Sequence, residues 1–145
     1  MALSQNQINE YLKKTKTILL STVTEENKAD VRILGAIATD GVDTYFSTQK
    51  DARKVSQIES NPNVALYFEA PGQAFPNYIN ATVYGKAQRV TDLEEIEKAK
   101  TLIKEKLPHF EFSEGKEIFV VKAEEVKIYN SSAELAQDKI QVEKY

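Results

Sequence analysis

With 145 residues, 41% of them hydrophobic, the chain can bury the core of one domain. Its 19 Lys+Arg against 22 Asp+Glu leave a net charge of −3, which speaks against nucleic acid or an anionic membrane as partner and makes any anion site a local one. The lack of cysteine excludes disulfides, thiolate catalysis and Cys-based metal centres; the start carries no basic-then-apolar segment and no apolar run nears the roughly 20 residues of a membrane span, so the expectation is a cytoplasmic protein.

Ser4 and Gln7 read as a capping box, and Ile8, Tyr11 and Leu12 follow at helical spacing, which predicts a helix over residues 4–15 that plugs one end of the core. The pattern then turns to β. Residues 17–23, 29–39 and 44–48 are rich in Ile, Val, Thr, Tyr and Phe, with Asp40-Gly41 as the hairpin turn between the last two. Residues 51–60 place Ala52, Val55 and Ile58 on one helical face and leave Arg53 and Lys54 in the first turn. Two cations there oppose the helix dipole, a conflict that an anion held between them and the free N–H groups would resolve. Arg32, on a neighbouring strand, is the third candidate cation.

Asn61-Pro62 ends that helix, and residues 64–69 resume as strand. Residues 70–77, with two of the prolines, form a long connection expected to edge a site or an interface. From 78 to 90 the chain alternates strictly, Ile79, Ala81, Val83, Gly85 and Ala87 against Asn80, Thr82, Tyr84, Lys86 and Gln88. Thr91 to Glu94 caps a further helix whose predicted buried stripe is Leu93, Ile96, Ala99, Ile103 and Leu107. Short strands follow at 116–122 and 126–129, and the polar residues 131–145 read as a tail that only a partner would order. Residues 1–130 are thus expected to be a single domain: a mainly β, six-stranded antiparallel barrel with flanking helices.

Several of these segments together resemble the FMN-binding split-barrel proteins of the pyridoxamine 5'-phosphate oxidase-like family, including its small stress-protein-like members. The resemblance rests on Val31-Arg-Ile-Leu34, Asp40-Gly41, Tyr45-Phe-Ser-Thr48, Ala52-Arg-Lys54 and Asn61-Pro-Asn-Val-Ala-Leu66, in this order. It implies an FMN cofactor whose phosphate is bound by Arg32, Arg53 and Lys54, with Ser47 and Thr48 beside the flavin or ribityl chain and the backbone of Ile33 and Leu34 along the isoalloxazine ring. It further implies that Asn80, five residues before Gly85, reaches the flavin from a second subunit. The expected assembly is a homodimer with its flavin site at the subunit seam. The chain lacks the Trp-containing segment with which the oxidase grips its phosphorylated pyridine, so that activity is not expected of it. Its only His, His109, falls in a turn.

The implied function is an FMN-dependent oxidoreductase acting on an unnamed small molecule or electron donor. The alternative is a non-catalytic module holding flavin, deazaflavin or haem. No catalytic side chain and no metal set are expected: no base lies beside Ser47 or Thr48, and the acidic pair Glu94-Glu95 suits a helix N-terminus. Taken singly the cations have ordinary readings too, a solvated helix face for Arg53 and Lys54 and an ion pair with Asp30 or Glu69 for Arg32.

Overall fold

The computed structural model describes residues 2–145. Eight strands form one antiparallel sheet: β1 (Ile18–Val23), β2 (Ala29–Leu34), β3 (Ile37–Asp40), β4 (Asp43–Gln49), β5 (Asn63–Glu69), β6 (Ile79–Arg89), β7 (Lys116–Asn130) and β8 (Ile140–Lys144). The sheet order is β2-β1-β5-β6-β7-β4-β3, with β8 added to β7. β2 and β3 close the two ends of this path, yet they follow one another through Gly35-Ala36. Leu34 and Ile37 are three residues apart, so they stand no more than about 11 Å from each other, and the sheet must curl until its ends meet. They meet without hydrogen bonds between β2 and β3, and the barrel is split there.

Three helices pack on this barrel, two over its interior and one on its outside: α1 (Gln5–Lys13), α2 (Arg53–Ser60) and α3 (Leu93–Lys106). The capping box forms as the sequence predicts, Ser4 accepting from the Gln7 N–H while the Gln7 side chain accepts from the Ser4 N–H. Ile8, Tyr11 and Leu12 of α1 and Val55 and Ile58 of α2 close over the barrel interior, where Leu20, Leu66, Phe68, Val83 and the stacked rings of Phe46 and Phe119, 5.5 Å apart, are buried. Truncating such a buried ring to Ala costs about 3–5 kcal/mol. A second core lies outside the barrel, where Ala99 and Ile103 of α3 cover Ala38, Tyr45, Ile118 and Val120. Both faces of the β3-β4-β7 segment are therefore dry, which is why Tyr45 and Phe46 are both buried although they point opposite ways. The Tyr45 hydroxyl donates to Glu95 at 2.8 Å, fixing α3 to β4, and burial first, then Glu95, pushes its pKa up.

The structure departs from the sequence reading in five places. The segment 29–39 is two strands, because the chain must turn at Gly35-Ala36 to pass from one end of the sheet to the other. The two short strands expected at 116–122 and 126–129 are one, β7, whose continuity is hidden by an irregular register: Tyr84 pairs with Glu125 but Gly85 with Ala123. Residues 131–145 need no partner to be ordered, since β8 pairs with β7 from Glu125 to Tyr129 and Gln141 ties the N-terminal segment to it through both the N–H and the C=O of Leu3. The sheet thus has eight strands rather than the expected six. In α3 the N-cap is Asp92, which accepts from the Glu95 N–H, and Leu93 and Leu107, expected in the buried stripe, lie exposed at the helix ends.

Candidate functional site

Where the split barrel turns from β2 to β3, a surface pocket of about 270 Å³ opens beside the start of α2. Its walls are Ile33 to Ala36 from the β2-β3 corner, Ser47, Thr48 and Gln49 from β4, Lys54 from α2, and Phe110 and Lys116 from the segment after α3. Hydrogen bonds hold these walls together. The Ser47 N–H donates to the Ala36 carbonyl at 3.0 Å, and the Lys50 N–H to Gly115 at 2.9 Å.

α2 begins badly for a free helix. Its N-cap is Ala52, which offers no side-chain acceptor, and its first turn holds no acid but the two bases Arg53 and Lys54. Lys54 reaches back and donates to Thr48 Oγ1 at 2.8 Å. Partial burial lowers its pKa below the usual lysine value, and the nearby Arg32 charge lowers it further. Arg53 is exposed, and its guanidinium makes no hydrogen bond or ion pair among the described residues. Ser47 Oγ is buried and, among the described residues, has no hydrogen-bond partner. A buried hydroxyl left without a partner costs roughly 1–3 kcal/mol, which a ligand in the pocket could recover.

Arg32 sits next to this pocket but is already engaged. One guanidinium nitrogen donates to Thr22 Oγ1 at 2.8 Å and the Leu20 carbonyl at 3.4 Å, the other to Asp30 at 2.8 Å and Gln57 Oε1 at 2.9 Å. Gln57, on α2, also donates to Asp30 and accepts from the Thr22 hydroxyl, closing the network. The Gln57 hydrogen bond, then the Arg32 charge, holds the Asp30 carboxyl below its ordinary pKa. Arg32 thus braces α2 against β1 and β2 while its charge still reaches Lys54.

Five of the residues predicted from sequence, Ile33, Leu34, Ser47, Thr48 and Lys54, line this one pocket. Arg32 is its neighbour, and Arg53 lies outside its wall at the exposed start of α2. Asn80 is not there: it lines a separate pocket on the outward face of β5 and β6, with Tyr67, Glu69 and Phe75. Phe110 and Lys116 escaped the sequence reading, since nothing local marks a loop some sixty residues downstream as a pocket wall. The pairing of Gln49 with Lys116 between β4 and β7 brings them in. Gln57, three residues after Lys54, was legible only as a helix position.

The chain matches the pyridoxamine 5'-phosphate oxidase family over residues 4–130. Its fold is similar to that of general stress protein 26 from Bacillus anthracis, with a TM-score of 0.67 and 20% identity over 86% of this chain and 91% of that one. It is also similar to a Clostridium acetobutylicum protein related to general stress protein 26, of the pyridoxinephosphate oxidase family, with a TM-score of 0.70 and 16% identity over 98% and 96% of the two chains. A heme binding protein from Mycobacterium smegmatis shares the fold as well, with a TM-score of 0.82 and 13% identity; the match takes in 99% of this chain but 59% of that one. No curated protein matches the sequence. A curled antiparallel barrel split between β2 and β3, together with a match spanning nearly the whole chain, identifies it as a member of the pyridoxamine 5'-phosphate oxidase family.

Proposed function

We propose that the chain is an FMN-binding flavoprotein and that it works as an oxidoreductase. The observation that carries this reading is the Lys54 ammonium, half-buried at an uncapped helix start that already holds Arg53 and faces no acid in its first turn. A phosphate is the group that such a site lacks: it would accept from Lys54, from Arg53 and from the free N–H groups of α2, each charge-assisted bond contributing roughly 1.5–3 kcal/mol. Arg32 would add its charge from behind. The orphaned Ser47 hydroxyl and that of Thr48 would serve the ribityl or ring oxygens, and the Ile33-Leu34 backbone would flank the ring. Bound FMN would supply the electron transfer between a nicotinamide-type donor and a small acceptor, leaving the protein to orient and shield it.

A homodimer completes the proposal. The outward face of the barrel carries a row of residues in register, Ile33, Leu19, Tyr67, Thr82, Lys127 and Val142. Ile33 is 66% exposed, and Val31 beside it 60%, as apolar as a buried strand yet uncovered in the single chain. A second copy packed there would account for that face and would let Asn80 approach the other copy's flavin.

The test is an FMN titration of the purified chain, followed by the quenching of flavin fluorescence. Binding that is lost when Arg53 and Lys54 are both replaced by Ala supports the proposal, and a chain that ignores FMN refutes it. Bleaching of the bound flavin by NADH or NADPH without oxygen would then separate an oxidoreductase from a storage or sensing module. The second reading, a haem or deazaflavin module, draws on the fold shared with a heme binding protein. It has less support in the pocket, whose lining contains no His and two cationic side chains.

A further inference from the structure

Lys116, the first residue of β7, lines the pocket at the β2-β3 corner from a different element than Lys54 does. Its own loop sets the ammonium in place. Lys116 Nζ donates to the Glu111 carbonyl at 2.8 Å and lies 5.5 Å from the centroid of the Phe110 ring, which is anchored in the second core. The Lys116 N–H donates to the Ser113 carbonyl at 3.0 Å, and the Gly115 carbonyl accepts from Lys50 just past the end of β4.

None of these partners carries a charge. Among the described residues Lys116 makes no ion pair. Glu117, next along the strand, projects to the opposite face of the sheet, where its two carboxylate oxygens accept from Arg89 at 3.0 and 3.2 Å. Glu111 and Glu114, in the same loop, are exposed and pair with no cation. The pocket lining contains no Asp or Glu, so both of its charged side chains, Lys54 and Lys116, are positive.

We propose that Lys116 makes the pocket select a phosphorylated ligand, favouring FMN over riboflavin. This rests on the flavin reading of the pocket and adds to it a residue that lies outside the basic pair of α2. Arg53 and Lys54 meet a phosphate from the helix start alone. A lysine from β7 gives the dianion a donor from a second element, and because its loop already holds it, less freedom is lost when the ligand arrives. A neutral ligand with the same ring system gains nothing from that charge.

The experiment is a paired fluorescence titration of FMN and riboflavin into the wild type, Lys116→Gln and Lys116→Arg. Thermal midpoints are recorded alongside, in inorganic phosphate and in sodium chloride of equal ionic strength. Lys116→Gln should weaken FMN about tenfold, leave riboflavin unchanged and flatten the salt dependence of FMN binding, while Lys116→Arg keeps FMN within about threefold. The same Gln variant should lose most of the rise in midpoint that phosphate gives the wild type. The proposal is overturned if Lys116→Gln leaves FMN affinity unchanged, if it weakens FMN and riboflavin alike, which is the mark of lost packing on Phe110, or if phosphate protects both chains equally. A wild type that phosphate stabilises but that ignores FMN removes the flavin reading alone, and the phosphate midpoints then decide the role of Lys116. A wild type that responds to neither overturns both.

Discussion

The Lys54 ammonium donates to Thr48 Oγ1 across 2.8 Å, tying the first turn of α2 to the last buried residue of β4. This bond holds a charge that would otherwise extend into water against a wall with no carboxylate. The same pair of elements, adjacent in sequence, thereby brings Thr48 and Lys54 to one wall of the pocket.

The free chain should show this tension in its pH dependence. The Lys54 pKa lies below 10.5, lowered first by burial and then by Arg32, so the unfolded chain holds this proton more tightly than the folded one. Stability therefore rises with pH between the lowered value and 10.5, and at lower pH the full cost of the half-buried ammonium is present and constant. Urea unfolding of the wild type and of Lys54→Met across the alkaline range should diverge in that window, with the variant lacking the rise.

Asp30 decides how Arg32 is used. Its carboxylate occupies one guanidinium nitrogen, and any phosphate approaching Arg32 must compete with it. Asp30→Asn should thus tighten FMN binding several-fold if Arg32 takes part, and leave it unchanged if Arg32 is only a brace. In acid the sign is that of a lowered carboxyl: the stabilisation present above 3.8 is lost as pH falls through the folded value, and the Asn variant should not show that loss. Fluorimetric FMN titration and an acid-unfolding series check the two halves.

Much of this site could be read from the chain because its parts are local. Thr44 to Lys54 supplies a strand, a turn and a helix start in a single stretch, and Val31 to Leu34 alternates plainly. The network around Arg32 was not legible, because it needs the β1-β2 register that puts Arg32 opposite Leu20 and needs α2 to lie over both strands. Strand β7 was broken in the reading by Ala123-Glu124-Glu125, where the register shift leaves polar residues in the middle of a continuous ladder. β8 was missed for a related reason: with Gln141 and Glu143 on its half-buried face and Ile140 and Val142 outward, its alternation is inverted relative to a core strand.

The same register shift makes Gly85 irreplaceable. A Cβ there would stand 2.1 Å from the Lys122 carbonyl oxygen and 2.9 Å from its carbon, both backbone atoms. No side-chain rotation relieves such a contact, so β6 and β7 would have to part across the middle of the sheet. Gly85→Ala should cost about 3 kcal/mol or more, seen as a fall in the urea midpoint, whereas Gly35→Ala, with nothing within 4 Å of its Cβ, should fold normally.

The proposed seam can be tested where it does not touch the fold. Ile33 is 66% exposed in the single chain, directly opposite Leu19 and on the far side of β2 from the barrel core, so a charge there disturbs no internal packing. Ile33→Glu placed against a second copy would bury a carboxylate without a partner, at a cost of several kcal/mol for each of the two symmetry-related positions. Light scattering should then show a dimer for the wild type and a monomer for Ile33→Glu, with equal thermal midpoints if the dimer adds little to folding and a concentration-dependent wild-type midpoint if it adds much. A flavin site built from both copies adds a second consequence, read on Val142→Glu at the far end of the same row because Ile33 itself lines the pocket: that monomer should hold FMN far more weakly, although every pocket residue is untouched. A monomeric wild type would remove the seam, and a monomeric variant that keeps full FMN affinity would place the whole site within one chain and leave Asn80 without a part in it.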